Sequence, residues 1–410
     1  MYMNQYSGGT MLRQATEKDR DAIMRIVKEA FNYNAEKMKT VQQMNLSNWH
    51  VYQYDNQIIG CLRIARDILR IGKAKIVKGE VGYVSILPEY QGKNHGTLMM
   101  QSAVSWMNGN DFDISRLGGR VRFYSRFGYI RFPRRYIEIF VSPDTGIITN
   151  QTHHEQLPGQ IQIFNAEKDK KELETFISTH NLETTGQPEY FGKYDEGKIL
   201  LYRENNKIRG VIGYRTSDKE HSNFEAKIEI DMLVYDRDCQ EAFKHLVTYI
   251  HNEAFRSNIN RITCRIPFSP EIVETLSNTE IFFNLVETYG GRSSNMLQVI
   301  NFNSLVEKLI PEFQHRLQMA GIETEKTIKL TVSNKGSIYL KIIGNKMKIV
   351  ENHSYDIHFE FSQLHFLQLI LGLISYQQLH YTYRQSQDTE TYLLGTVLFP
   401  QTVVFSGCWG

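Results

Sequence analysis

Cysteine is scarce in this chain, and the scarcity removes whole classes of protein. The four that occur, Cys61, Cys239, Cys264 and Cys408, are far apart and form no C-x-x-C pair. A disulfide framework or a zinc site needs closer, paired spacing, so the thiols read as reduced. Long apolar runs are missing too. The longest, residues 364–374, contains His365, Gln368 and Gly372 and falls short of the roughly 18–20 apolar residues a membrane span needs. The opening MYMNQYSGGT has no charged region and no apolar one, so it does not read as a signal peptide, and Met11 is an alternative start. An excess of one charge is also lacking: 47 Lys and Arg face 45 Asp and Glu, a net +2, too balanced for a nucleic-acid-binding domain. His153 and His154 are adjacent and His95 stands alone, none with metal-ligand spacing. These absences point to a cytoplasmic protein with no metal, no membrane partner and no nucleic acid.

What is present is the composition of a globular chain, 41% hydrophobic and 22% charged over 410 residues, enough for two to three domains at about 150 residues each. An amphipathic helix is expected over 19–31, from Ile23, Ile26, Val27 and Ala30 at helical spacing. Strands are expected at 50–54 and 58–64, joined by the turn Asp55-Asn56. A weak repeat organises the rest. VYQYDNQIIGCL at 51–62 and LLYRENNKIRGVI at 200–212 share a strand, a polar turn and a strand with a glycine, and Gly60 and Gly210 stand 150 residues apart. EIDMLV at 229–234 then corresponds to the strand at 80–87, which suggests duplication. A third region from 302 reads as a helix over 305–317, strands at 328–332, 338–343 and 346–349, an apolar helix over 361–376, and strand-like residues at 403–405.

The chemistry lies in GEVGYVSILPEYQGKNHG, residues 79–96. A strand ends at Pro88, which has no N–H for a ladder. A small polar loop follows and a helix begins near Thr97. Backbone N–H groups at such a loop converge on the positive end of the helix and can hold a pyrophosphate without side-chain charge. From the residues alone, an ordinary strand–loop–helix connection fits as well. After an apolar strand near 112–117 come Gly118-Gly119 and RVRFYSRFGY, residues 120–129. Seven arginines fall between 116 and 135: Arg116, Arg120, Arg122, Arg126, Arg131, Arg134 and Arg135. They read either as partners for phosphates or as a solvated face.

The loop resembles motif A of the GNAT acetyltransferases, Q/R-x-x-G-x-G/A after a strand. Gln91 and Gly96 match, and Asn94 stands where the first consensus glycine is usual, a residue that tolerates left-handed backbone. The string at 124–129 resembles the Phe-Gly-Tyr element those enzymes place beside the thioester. The whole plan resembles the enhanced intracellular survival (Eis) family. That implies an α+β chain of two tandem GNAT folds, the second degenerate, and a C-terminal sterol-carrier-like domain, with boundaries at 1–150, 151–300 and 301–410.

By that resemblance acetyl-CoA is the co-substrate, held by Val84, Ser85, Ile86, Gln91, Gly92, Lys93, Asn94, His95, Gly96 and Thr97. A backbone amide near Ile86, freed at a strand bulge, would face the acetyl carbonyl. Tyr124 matches the general acid that protonates the leaving thiolate. The terminal carboxylate of Gly410 matches the general base, with Trp409 in an aromatic packing role. The acceptor is then a primary amine of an aminoglycoside- or polyamine-like cation or of lysine, attacking directly; no Cys–His pair is available for a covalent route. Residues 235–251 carry no glycine loop, so one acetyl-CoA site per chain is expected. The relatives are homo-oligomers, hexamers among them. Two other classes stay open: a non-catalytic acyl-CoA-binding scaffold, and a lipid carrier working through the C-terminal domain.

Overall fold

The computed structural model describes residues 10–42, 45–141, 160–180, 198–217, 226–266, 269–279, 281–351, 354–383 and 388–404. In chain order the elements begin with β1 (Thr10–Gln14), α1 (Arg20–Phe31), α2 (Ala35–Gln42), β2 (Trp49–Tyr54), β3 (Gln57–Ile71), β4 (Ala74–Ile86) and α3 (His95–Asn108). Then come β5 (Ile114–Arg120), α4 (Val121–Tyr124), β6 (Ile130–Arg131) and β7 (Arg134–Phe140). The middle of the chain gives β8 (Gln160–Ile163), α5 (Ala166–His180), β9 (Ile199–Glu204), β10 (Lys207–Ser217), β11 (Lys227–Tyr235), α6 (Gln240–Arg256), β12 (Arg261–Cys264), α7 (Pro270–Ser277) and β13 (Phe282–Thr288). Last are β14 (Ser293–Val299), α8 (Phe302–Met319), β15 (Thr324–Val332), β16 (Gly336–Gly344), β17 (Lys346–Ile349), β18 (Ile357–Phe361), α9 (Gln363–Ile370), α10 (Tyr376–Tyr383) and α11 (Thr389–Leu398). No helix among the described residues is long and apolar enough to cross a membrane.

Among the described residues the fold is α+β with three sheets, and the chain divides into two compact units. The first unit takes residues 1–69, 74–132 and 289–367. Its large sheet runs β1-β2-β3-β4-β5-β14-β6. α1 lays Ile23, Ile26 and Val27, all buried, against Trp49, Val51, Cys61 and Leu87, as its apolar stripe requires. α3 buries Met99, Met100, Ala103 and Met107 with Leu62, Val81 and Leu117. The same unit holds the four-stranded sheet β17-β16-β15-β18 and α8. α8 is tied in by Asp113, which is fully buried: Ser304 Oγ donates to its carboxylate at 2.6 Å and Lys308 Nζ at 2.9 Å.

The second unit takes 70–73, 133–288 and 368–410. Read from β8, its sheet runs β8-β9-β10-β11-β12-β7-β13. α6 covers one face with Ala242, Phe243, Leu246 and Ile250, over Ile212, Ile230 and Ile262. α5 packs Leu173, Phe176 and Ile177 on Leu201, Val211 and Met232.

Each unit is drawn from separated stretches of the chain. β7, from the first third of the chain, is the sixth strand of the second sheet, and β14, after the second repeat, is the sixth strand of the first. Strand periodicity identifies a strand but not its partner. The helix expected over 361–376 is also two helices. The chain breaks at Gly372, whose φ is +73°; a Cβ there would stand 1.9 Å from Thr402 Oγ1, so only glycine fits. The strand-like residues at 403–405 reduce, among the described residues, to an isolated bridge at Val404.

Candidate functional site

β4 and β5 are parallel neighbours whose pairing runs from Lys78↔Ile114 to Val81↔Leu117 and stops there. β5 goes on to Arg120 along β14, while β4 goes on to Ile86. The two strands therefore part toward their C-terminal ends, the position where open sheets with parallel strands bind ligands. The divergence coincides with a backbone outlier. Tyr83 has φ +52°, a left-handed conformation inside a strand and costly for a bulky residue. Ser85 Oγ donates to the Tyr83 carbonyl at 2.9 Å. The Ser85 side chain is thus buried beside this outlier, its hydroxyl engaged by the main chain.

After β4 the Leu87 amide donates to Ile59 (2.9 Å) and the Gln91 amide to Pro88 (3.1 Å). Gln91 Nε2 donates back to the Ile86 carbonyl at 2.8 Å, which closes the turn. Gly92 and Asn94 both take left-handed backbone, φ +75° and +67°, so asparagine meets the demand that the usual glycine meets. The first helical bonds come from the Thr97 and Leu98 amides to Asn94. The amides of Gly92, Lys93, Asn94, His95 and Gly96 donate to no acceptor among the described residues. That is a cradle of free donors at a helix start, suited to two phosphates. A Cβ on Gly96 would meet Phe123 at 3.5 Å and Ile86 at 3.9 Å, so loop, strand end and α4 are contiguous. Lys93 Nζ lies 5.5 Å from the Tyr90 ring centre on the exposed side.

The His95 ring is buried against Tyr54 at 4.7 Å and near Tyr52 and Tyr90.

Tyr124 closes α4 and is half-buried. It packs edge-on to Phe123 at 4.9 Å and to Tyr129 at 6.3 Å. Its hydroxyl has no partner among the described residues, and burial pushes its pKa up to about 12, against a smaller pull from Arg120. Tyr129 is different: it is fully buried with its hydroxyl 2.7 Å from Ser115 Oγ. Tyr124 is therefore the tyrosine of this string with a proton to offer. The sequence carried Gly118-Gly119 without assigning a role. In the structure a Cβ on Gly119 would stand 2.3 Å from the Tyr124 ring, so glycine seats the tyrosine.

Of the seven arginines, Arg116 pairs with Glu80 and donates to Asn295 at 2.8 Å, joining β4, β5 and β14 beside the wedge. Arg126 stacks over Phe123 and Phe127. Sequence reasoning missed the Glu80–Arg116–Asn295 link, because β14 lies some 180 residues downstream. It also missed the aromatic group at the end of α1, where Phe31 meets Tyr33 at 5.2 Å and Tyr83 at 6.1 Å. Trp49 packs at a tilt against Tyr83 at 5.2 Å. Gly410, Trp409, Cys408, His153 and His154 lie outside the described residues.

Residues 11–131 match the family model of the acetyltransferase (GNAT) domain. No curated protein matches the chain by sequence. Solved structures match it along nearly its whole length. A conserved protein of Enterococcus faecalis V583, described as "probable N-acyltransferase", has TM-score 0.71 at 16% identity, covering 97% of this chain and 98% of that one. A GCN5-related N-acetyltransferase of Anabaena variabilis ATCC 29413 has TM-score 0.65 at 16% identity, with 97% and 99% covered. Eis1 of Mycobacterium abscessus has TM-score 0.57 at 17% identity, with 97% and 99% covered.

Proposed function

We propose that the chain, whose residues 11–131 match the acetyltransferase (GNAT) domain model, is an acyl-CoA-dependent acetyltransferase that moves acetyl from acetyl-CoA to a primary amine by direct attack. The observation that carries this reading is the row of unengaged amides from Gly92 to Gly96, contiguous with Phe123 and Tyr124. The pyrophosphate sits on those amides, and the pantetheine arm lies along Val84 and Ile86 in the wedge. A backbone N–H near Ile86 faces the acetyl oxygen; one such donor is worth about 3 kcal/mol in other acyl-transfer sites.

Tyr124 donates to the leaving sulfur. Transfer from a hydroxyl of pKa about 12 to a thiolate of ordinary pKa, about 8.5, is uphill. The hydroxyl therefore acts first as a hydrogen-bond donor and gives up its proton as the C–S bond breaks. Burial raises the thiolate's pKa as well, which narrows the gap. The base that takes the ammonium proton is the carboxylate of Gly410, a role that rests on the resemblance. The acceptor is a small cationic amine or a lysine side chain. The faces of Phe31, Tyr33 and Tyr83 are surfaces an ammonium favours. Residues 151–300 are a degenerate GNAT copy without a loop, residues 301–410 are a sterol-carrier-like domain, and the protein works as a cytoplasmic homo-oligomer.

Thiol release from acetyl-CoA with a panel of primary amines tests the proposal. Tyr124→Phe is expected to lower kcat at least tenfold with KM for acetyl-CoA within about threefold, as for loss of an acid acting in the transition state. Residues appended after Gly410 are expected to lower kcat similarly. Wild-type turnover in Tyr124→Phe removes the acid; wild-type turnover in the extended chain removes the terminal base.

A further inference from the structure

Tyr124 sits on a segment that its own packing does not fix. α4 has four residues and runs straight into one 3₁₀ turn, Ser125–Phe127, and none of these residues is fully buried. A helical piece that short has no stability of its own, so its place is set where its ends are tied. At the front, the Val121 amide donates to the Arg292 carbonyl at 3.0 Å, one residue ahead of β14. At the back, the chain leaves the turn at Gly128 with φ +92°, and a Cβ there would stand 2.8 Å from Gln298 Nε2 of β14. The Gly128 carbonyl accepts from Gln363 Nε2 at 2.9 Å, across 235 positions of sequence.

Gln363 opens α9, and its side-chain amide is used at both ends. While Nε2 donates to Gly128, Oε1 accepts from the Val299 amide, at the end of β14, at 2.9 Å. The Val299 carbonyl accepts in turn from Lys335 Nζ, on the turn between β15 and β16. A single side chain therefore ties the turn behind Tyr124 to the end of β14, and β14 is itself held from the part of the chain that supplies the glutamine. Only an amide offers a donor and an acceptor on adjacent arms; a carboxylate would lose the donor and a thioether both. We infer that Gln363 is a positioning residue for acetyl transfer, which fixes the turn behind Tyr124 and so keeps its hydroxyl on the leaving sulfur. The inference rests on the reading of Tyr124 as the acid, and it gives the region after β14 a part in the reaction.

Thiol release from acetyl-CoA, with the amine of the panel that full-length protein turns over fastest, tests this. Gln363→Met keeps the length of the side chain and loses both hydrogen bonds; Gln363→Glu keeps the acceptor for Val299 and loses the donor to Gly128. Each is expected to lower kcat about fivefold or more with KM for acetyl-CoA within about twofold. Gln314→Met removes a like bond elsewhere, from Gln314 Nε2 to the Met347 carbonyl at 2.9 Å, and is expected to leave kcat unchanged. In a Tyr124→Phe background Gln363→Met is expected to cost less than about twofold more, because the two residues act through one hydroxyl. If Gln363→Met fails to fold, Gln363→Glu carries the same comparisons. Wild-type turnover in Tyr124→Phe overturns the acid and this inference with it. With Tyr124→Phe impaired, the inference alone is overturned by wild-type kcat in both Gln363 variants, by an equal loss in Gln314→Met, or by a full further loss in the double variant.

Discussion

Gly119 has no room for a side chain, because the Tyr124 ring occupies that space. Tyr124 is only half-buried, so it can swing away at modest cost. Gly119→Val is therefore expected to keep the fold, lose about 1–3 kcal/mol of stability to overpacking, and lower kcat as far as Tyr124→Phe does. Unchanged turnover would show that Tyr124's position does not matter. His50 makes a second residue-scale prediction. It is 1% exposed against Trp106 at 4.3 Å, and burial lowers its pKa to about 4, over a weaker opposing contact with Asn48. The unfolded chain takes up this proton near pH 6.5 while the folded chain does not. Stability is thus present above pH 6.5 and is lost as pH falls toward 4. Urea unfolding at pH 7 and 4.5 is expected to show a drop in wild type larger than in His50→Phe by about 2–3 kcal/mol; equal drops would contradict this.

Among the elements, β14 is the one the first unit cannot spare. It pairs with β5 along its whole length, and its Met296 and Leu297 pair with β6. With α8, it is supplied from beyond residue 288. Residues 1–141 made alone lose that strand and strip Asp113 of Ser304 and Lys308; unpairing such a buried charge costs about 3–5 kcal/mol. The fragment is expected to show no cooperative unfolding transition, and a cooperative one by circular dichroism would contradict this. Local elements were legible: the sequence placed helix α1 at 19–31, the hairpin of β2 and β3, the loop at 91–96 and the helix after it. Those readings rest on periodicity, Pro88, Gln91, Gly96 and the Asp55-Asn56 turn, which act within a few residues. β14's insertion, the left-handed Tyr83 and the link from Arg116 to Asn295 were not legible, because each depends on contacts between distant stretches of chain. The role of Gly119 was half legible: its pairing with Gly118 stood out, but only the Tyr124 ring says why.

Across the whole molecule the two large sheets have the same order, each completed by a strand from the other part of the chain. The resemblance between 51–62 and 200–212 surfaces here as β2–β3 and β9–β10, each second and third in its sheet. β11 keeps an irregularity too, its register with β10 shifting between Gly213 and Tyr214, much as β4 bends at Tyr83. What the second unit lacks is a glycine loop before its helix: α6 follows Asp236, Arg237, Asp238 and Cys239 directly. Among the described residues the protein is thus built as two similar frames, of which the first carries the loop proposed to cradle the acyl donor. Calorimetric titration of the full-length chain with acetyl-CoA tests this most directly. One site per chain is predicted, weakened at least tenfold by Gly92→Val, which forces a β-branched residue into φ +75°. Two sites, no binding, or binding indifferent to Gly92→Val would contradict it.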